Sequence, residues 1–374
     1  MRLNRRRLLL GTAAIAGMAE CHALSATVVP ALKDRFAAHF KIGMAVDTRL
    51  LSAQITSTIL RKHVNSLTPE NVMKADLLGP REGIYNFKQA DALVAFAQAN
   101  HMVVQGTTLL WHRSTPDWFF AGDQSDMTAY RAQVRARLER YITDVVTHFR
   151  GKVSTWIVVN EPTSDDGSNI WRQTRWYQVL GPDYIDYAFR AARAADPNVK
   201  LVINEYLTED AGKRARFLTI VDEMLAREIP LDGIGHQMHI GLLPRAWKAA
   251  NAFTAADVGA ALQAVESRGL DNHITELDVT LYDDPVRCYA TSTDCLPAAT
   301  GAGLTAALQA QADKYRQLFA VFTAYGSVKS VTLWGVADNH TWLDTYPVAR
   351  ANKPLLFDAN GAPKPAFWAI VDSI

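Results

Sequence analysis

Eight times along the chain, a short apolar run rich in Val, Ile and Leu gives way to a polar loop and then, in most cases, to an amphipathic stretch. The runs are Ile42 to Asp47, His63 to Leu67, Val103 to Trp111, Val153 to Asn160, Lys200 to Tyr206, Gly233 to Ile240, His273 to Val279 and Val328 to Val336. Between them, Ala90 to Ala99, Ala132 to Phe149, Tyr184 to Ala195, Ala215 to Arg227, Ala256 to Ser267 and Ala307 to Ala324 carry apolar residues at helical spacing. Strand alternating with helix predicts a parallel sheet, because parallel neighbours need a crossover. Eight such units predict closure into an α/β fold of the (β/α)8 TIM barrel type. The 374 residues and 49% hydrophobic content can fill that core. No glycine fingerprint of a dinucleotide site occurs, and no Pro-, Gly- or Ser-rich linker divides residues 27–374, which read as a single catalytic domain.

Residues 1–26 stand apart. Arg5, Arg6 and Arg7 precede the apolar, Ala- and Gly-rich run Leu8 to Met18, and the small residues Ala23, Ser25 and Ala26 follow. That order is the grammar of a signal peptide, and the paired arginines before Leu8 and Leu9 resemble a twin-arginine leader. The run is well short of the roughly 20 residues needed to span hydrocarbon, so no membrane attachment is expected once it is removed. The expected destination is the periplasm or the medium. In such an oxidising compartment Cys288 and Cys295 are close enough in sequence to close a small loop. With 39 Lys+Arg against 38 Asp+Glu, the formal charge of +1 gives no global field to hold nucleic acid or an anionic surface. A neutral polymer acted on by a monomer fits better.

In such a barrel the working residues lie at the carboxyl ends of the strands. There the chain places Glu70, Asn71 and Lys74, then Trp111 and His112, then Asn160 and Glu161, and then Tyr206; Gln237, His239, Glu276, Asp278 and Trp334 follow, with Trp342 in a polar loop. Taken singly, either Glu161 or Glu276 would more often be a loop residue or half of an ion pair. As a pair they suit glycosidic hydrolysis, which needs one carboxylic acid for the leaving oxygen and one carboxylate across the anomeric carbon. A separation of about 5 to 5.5 Å gives retention through a covalent intermediate. Trp111, Trp334 and Trp342 offer faces for sugar rings, and Glu70, Asn71, Lys74, Asn160 and Gln237 offer hydrogen bonds to hydroxyls. His112, Tyr206 and His239 complete the expected substrate contacts. His112, His236 and His239 raise a metallohydrolase as a rival, but a His-x-His pair on the first strand is missing, so no metal is expected. A carbohydrate-binding protein without catalysis is a second rival, disfavoured by the presence of both glutamates.

At these motifs the sequence resembles glycoside hydrolase family 10, the barrel xylanases. Val159-Asn160-Glu161-Pro162 looks like the family's acid/base motif, and Ile274-Thr275-Glu276-Leu277-Asp278 like its nucleophile motif. Thr68-Pro69-Glu70-Asn71 with Lys74 is similar to the segment holding the non-reducing side of the substrate, and Trp334-Gly335 with Asp338 and Trp342 resembles the aromatic wall. The resemblance implies hydrolysis of internal β-1,4 linkages of xylan by double displacement, without a cofactor. It also implies that His239 and Asp278 form a hydrogen-bonded set orienting Glu276. Glu161 must start protonated and Glu276 ionised, with a neutral His239 imidazole and Asn160 expected to bond the charged nucleophile. Thr107, Ser114 and Ile157 depart from the family pattern, each losing a polar group or length. The room they leave keeps a glucose-containing β-linked polysaccharide or exopolysaccharide open as the alternative substrate.

Overall fold

The computed structural model describes residues 29–242 and 252–373. Eight parallel strands close into a barrel: β1 (Lys41–Val46), β2 (Ser66–Pro69), β3 (Val103–Trp111), β4 (Thr155–Asn160), β5 (Lys200–Glu205), β6 (Gly233–His236), β7 (Asp271–Val279) and β8 (Val328–Leu333). Strands pair in chain order and β1 closes on β8, so that Gly43 has Ser66 on one side and Thr332 on the other. After two residues β6 resumes as His239–Ile240, paired with Asp278 and Val279. The leader expected over residues 1–26 lies outside the described residues. Among the described residues no helix is long and apolar enough to cross a membrane.

Helices cover the outside of these strands and side chains fill the inside, which explains why the strands read as near-continuous apolar runs instead of alternating ones. All six residues of β4 are buried. Outside, the helix Met127–His148 is capped by Asp126, whose carboxylate accepts from the N–H groups of Thr128 and Ala129. It buries Tyr130, Val134, Leu138, Tyr141 and Val145 along one face. Among the described residues, several helices lie outside the sequence reading, and the longest of them is Gln54–His63. Gln54–His63 is helical although its inner face carries Thr56 and Ser57 with Ile59 and Leu60, a mixture that hides the apolar period. His63 ends that helix, so the second strand begins at Ser66 and not at His63.

Between the strands and the outer helices, a wide side chain is accommodated by a glycine. Trp156 of β4 is fully buried, and a Cβ on Gly106 of β3 would come within 2.3 Å of its ring. Above the barrel, a disulfide joins Cys288 and Cys295 with their Cα atoms 4.9 Å apart. The same loop is tied to the segment after β8 by Arg350, which donates to Asp284 at 3.1 Å.

Overpacking in a dry interior costs about 1 to 3 kcal/mol. Gly106→Ala is therefore expected to lower the denaturant midpoint by a corresponding amount. By contrast Gly303, inside the helix Gly301–Ala324, has nothing within 4 Å of an added Cβ. Gly303→Ala is expected to stabilise by about 0.4 to 1 kcal/mol, by removing freedom from the unfolded chain. Urea titrations of both variants check the pair of signs.

Candidate active site

β4 ends at Asn160, and the chain then turns at Glu161, whose φ of 58° lies in the left-handed region. A non-glycine residue there costs of order 1 kcal/mol, so its surroundings must hold it. The Glu161 N–H donates to the Asn204 carbonyl at 2.9 Å, and Arg172 Nε donates to the Glu161 carbonyl at 2.9 Å. Glu276 instead lies within β7, at a register shift between Ile274 and Leu277 relative to β8. Such irregularities re-aim a strand's side chains. Both carboxyl groups are buried, at 7% and 8% exposure, and both border one cavity of about 800 Å³ at the carboxyl ends of the strands.

Side-chain amides join the two. Gln237 Nε2 donates to Glu161 Oε1 at 3.1 Å, and Asn160 Nδ2 reaches the same oxygen at 3.3 Å. Asn204 Nδ2 donates to Asn160 Oδ1 at 2.8 Å and to Glu276 Oε1 at 2.9 Å. Asn204, not Asn160, is thus the amide partner of Glu276, a correction to the sequence reading. The room for it comes from Gly235, where a Cβ would stand 2.2 Å from Asn204 Oδ1. Thr275 Oγ1 fixes the amide's orientation by donating to that oxygen at 2.7 Å.

On the other side of Glu276, His239 Nε2 lies 3.4 Å from Oε2, and its Nδ1 is 3.0 Å from Asp278 Oδ2. Trp342 Nε1 also donates to that Asp278 oxygen, at 2.8 Å. Burial alone would depress the imidazole, but the charge and hydrogen bond of Asp278, followed by those of Glu276, raise it to about 10. His239 is therefore an imidazolium donating from both nitrogens. The neutral ring expected from the sequence is corrected by the convergence of two carboxylates on it.

Glu70, Asn71, Lys74, Trp111, Tyr206, Gln237, Trp334 and Trp342 all border the same cavity. Lys74 Nζ donates to Asn71 Oδ1 at 2.8 Å and stands 5.0 Å from the Trp111 ring centre. Burial lowers its ammonium from the ordinary range, while Glu276 and Glu70 pull the other way. His112 and Asp278 do not border the cavity. Burial takes the His112 imidazole down to about 4 against the pull of Glu161, so it is neutral. Asp338 belongs to no aromatic wall either: it is buried against Lys364 Nζ at 2.8 Å. Among the three departures, Thr107 borders the cavity, whereas Ser114 and Ile157 are buried away from its lining. Sequence reading passed over Thr108, Arg113, Asp165, Lys213 and Arg216, which also line it.

The model of glycosyl hydrolase family 10 matches residues 31–373. Endo-1,4-beta-xylanase A of Halalkalibacterium halodurans is 39% identical over 361 residues, covering 92% of this chain and 87% of its own. The crystal structure of xylanase B from Clostridium stercorarium superposes with a TM-score of 0.82 at 37% identity, over 92% of this chain and 100% of that one. A mutant structure in complex with xylotriose gives a TM-score of 0.82 at 35% identity, over 91% and 99% of the two chains. Barrel, paired strand-end glutamates and a match across the described residues agree, and the chain belongs to glycosyl hydrolase family 10.

Proposed function

We propose that this glycoside hydrolase cleaves internal β-1,4 linkages of xylan with retention, Glu161 serving as acid/base and Glu276 as nucleophile. The observation that carries this reading is the pair of buried carboxyl groups on separate strands, bordering one cavity and linked through Asn160, Asn204 and Gln237 without touching ion-paired cations of the surface. In the first step Glu276 attacks the anomeric carbon while Glu161 protonates the departing oxygen; in the second Glu161 takes a proton from water, which displaces the ester. His239, carrying two N–H donors, favours the ionised nucleophile and holds it in line. Lys74, Asn71 and Glu70 are placed to bond hydroxyls of the sugars bound before the cleavage point, with Trp334 and Trp342 as apolar faces.

Xylan as substrate is supported by the relatives named above. A glucan is not favoured by these relatives, and of the three departures only Thr107 adjoins the cavity. We read the protein as an exported monomer: the leader-like residues 1–26 and a disulfide suited to an oxidising compartment support export.

The purified protein is expected to release a ladder of oligosaccharides from xylan, with the β-anomer formed first by proton NMR. Exclusive release of single sugars, or initial α-anomer, would overturn the endo-acting or the retaining assignment. Glu276→Ala is expected to lose at least ~10⁴-fold in kcat, and Glu161→Ala about 10²- to 10⁴-fold on xylan.

His239 supplies a pH test with a definite sign. A group raised from 6.5 to about 10 on folding contributes stability that is full below about pH 6.5 and is lost as pH rises through about 10. The advantage of the native protein over His239→Asn in urea midpoint is expected to shrink across that window. The same variant is expected to lose about 10- to 100-fold in kcat/KM, measured on xylo-oligosaccharides at neutral pH.

A further inference from the structure

The loop that follows Glu161 is held by a ring of charged groups that the two-carboxylate mechanism does not by itself require. The Thr163 N–H donates to Glu205 Oε2 at 2.9 Å, two residues after Glu161. Glu205 is fully buried, and its other oxygen is 3.2 Å from Lys213 Nζ. That ammonium, itself buried, donates at 2.8 Å to Asp165 Oδ1. The second Asp165 oxygen accepts from Arg172 Nη1 at 2.9 Å, and Arg172 Nε closes the ring on the Glu161 carbonyl at 2.9 Å. Tyr206 sits inside it: Arg172 Nη2 donates to its hydroxyl at 2.8 Å, and Lys213 Nζ lies 3.2 Å from its ring centre. One face of Tyr206 is therefore taken by a cation and not by a sugar.

We propose that Lys213 is a positioning residue for the acid/base: its ammonium, shared between Glu205 and Asp165, fixes the two peptides that follow Glu161 and so aims that carboxyl at the leaving oxygen. Three features carry this. Glu161 has a left-handed backbone that its surroundings must hold: the Asn204 carbonyl pins the peptide before it, and the ring pins the two after it. One pin, Thr163 to Glu205, depends on a buried carboxylate, which needs a cation beside it to stay charged. Lys213 is the group in ion-pair range of Glu205 among the described residues, and it reaches the other pin through Asp165 and Arg172. Burial already pushes the Glu205 carboxyl up, with Lys213 opposing. Without Lys213 that acid is expected to take a proton and hold Thr163 less firmly.

The proposal rests on Glu161 being the acid/base, and the test separates the two ideas by leaving group. Protonation matters for a sugar or alcohol leaving group and hardly at all for dinitrophenolate, whereas binding and fold matter for both. The kcat/KM of Lys213→Met, which reports the glycosylation step, is compared on xylo-oligosaccharides and on a dinitrophenyl β-xylobioside, with Glu161→Ala alongside. Lys213→Met is expected to fall at least ~30-fold on the oligosaccharides and less than about 3-fold on the dinitrophenyl substrate, general acid catalysis being worth roughly 10²- to 10⁴-fold. Lys213→Arg is expected to restore part of the oligosaccharide rate. Equal loss on both substrates, or loss on neither, overturns the positioning role. Should Glu161→Ala itself show no dependence on leaving group, the acid/base assignment fails and not the ring. Should Lys213→Met not fold, Asp165→Asn cuts the ring at its solvent-exposed member and is judged by the same two substrates: a selective loss on oligosaccharides supports the role, and any other pattern overturns it.

Discussion

Negative charge collects at the mouth of this barrel: Glu70, Glu161 and Glu276 border one cavity, Asp278 lies behind Glu276 across His239, and all but Glu70 are buried. Like charges in such a place repel strongly, and the ordinary outcome is that one takes up a proton. Here two cations are interleaved with them. His239 sits between Glu276 and Asp278, and Lys74 lies in the field of Glu70 and Glu276. Around Glu161 no cation among the described residues is in ion-pair range; its near partners are neutral amides. On the proposed assignment, this unequal distribution of positive charge is what sets two chemically identical side chains in different environments.

Much of this was legible in the sequence because parallel strands covered on both faces leave continuous apolar runs, and because carboxylates at the ends of such runs stand out. β4 and β7 with Glu161 and Glu276 are the clearest cases. What could not be read were properties that arise only when distant segments meet. The charge on His239 depends on Asp278 and Glu276 arriving on its two sides. The role of Asn204 depends on a hydrogen in place of a side chain at Gly235, and nothing local to residue 204 discloses it. The helix Gln54–His63 escaped for a different reason: its buried face is partly polar, so the apolar period was too faint to register.

Glycine choice along the strands also links folding to chemistry. Gly106 leaves space for the Trp156 indole, which packs toward Phe149 at the end of the outer helix, and Gly235 leaves space for the amide that donates to Glu276. The two solve the same steric problem on opposite faces of the sheet, one against the outer helices and one inside the barrel mouth. A closed barrel has little slack, since a side chain displaced on one strand must move a neighbour on the next. The amide chain between the glutamates therefore inherits its rigidity from the packing beneath it.

Trp342 does two things with one ring. Its N–H holds Asp278, the partner that keeps His239 charged, while its face lies against Tyr346 with ring centres 5.1 Å apart and planes within 18°. The wall that a sugar would press against is thus mechanically coupled to the charge balance behind it. Tilting the indole by a different loop sequence would alter not only the grip on a carbohydrate but also the basicity of an imidazole that the carbohydrate need never contact. Attempts to redesign recognition at this wall will consequently change the chemistry as well, and a variant that binds a new polymer well can still turn it over slowly.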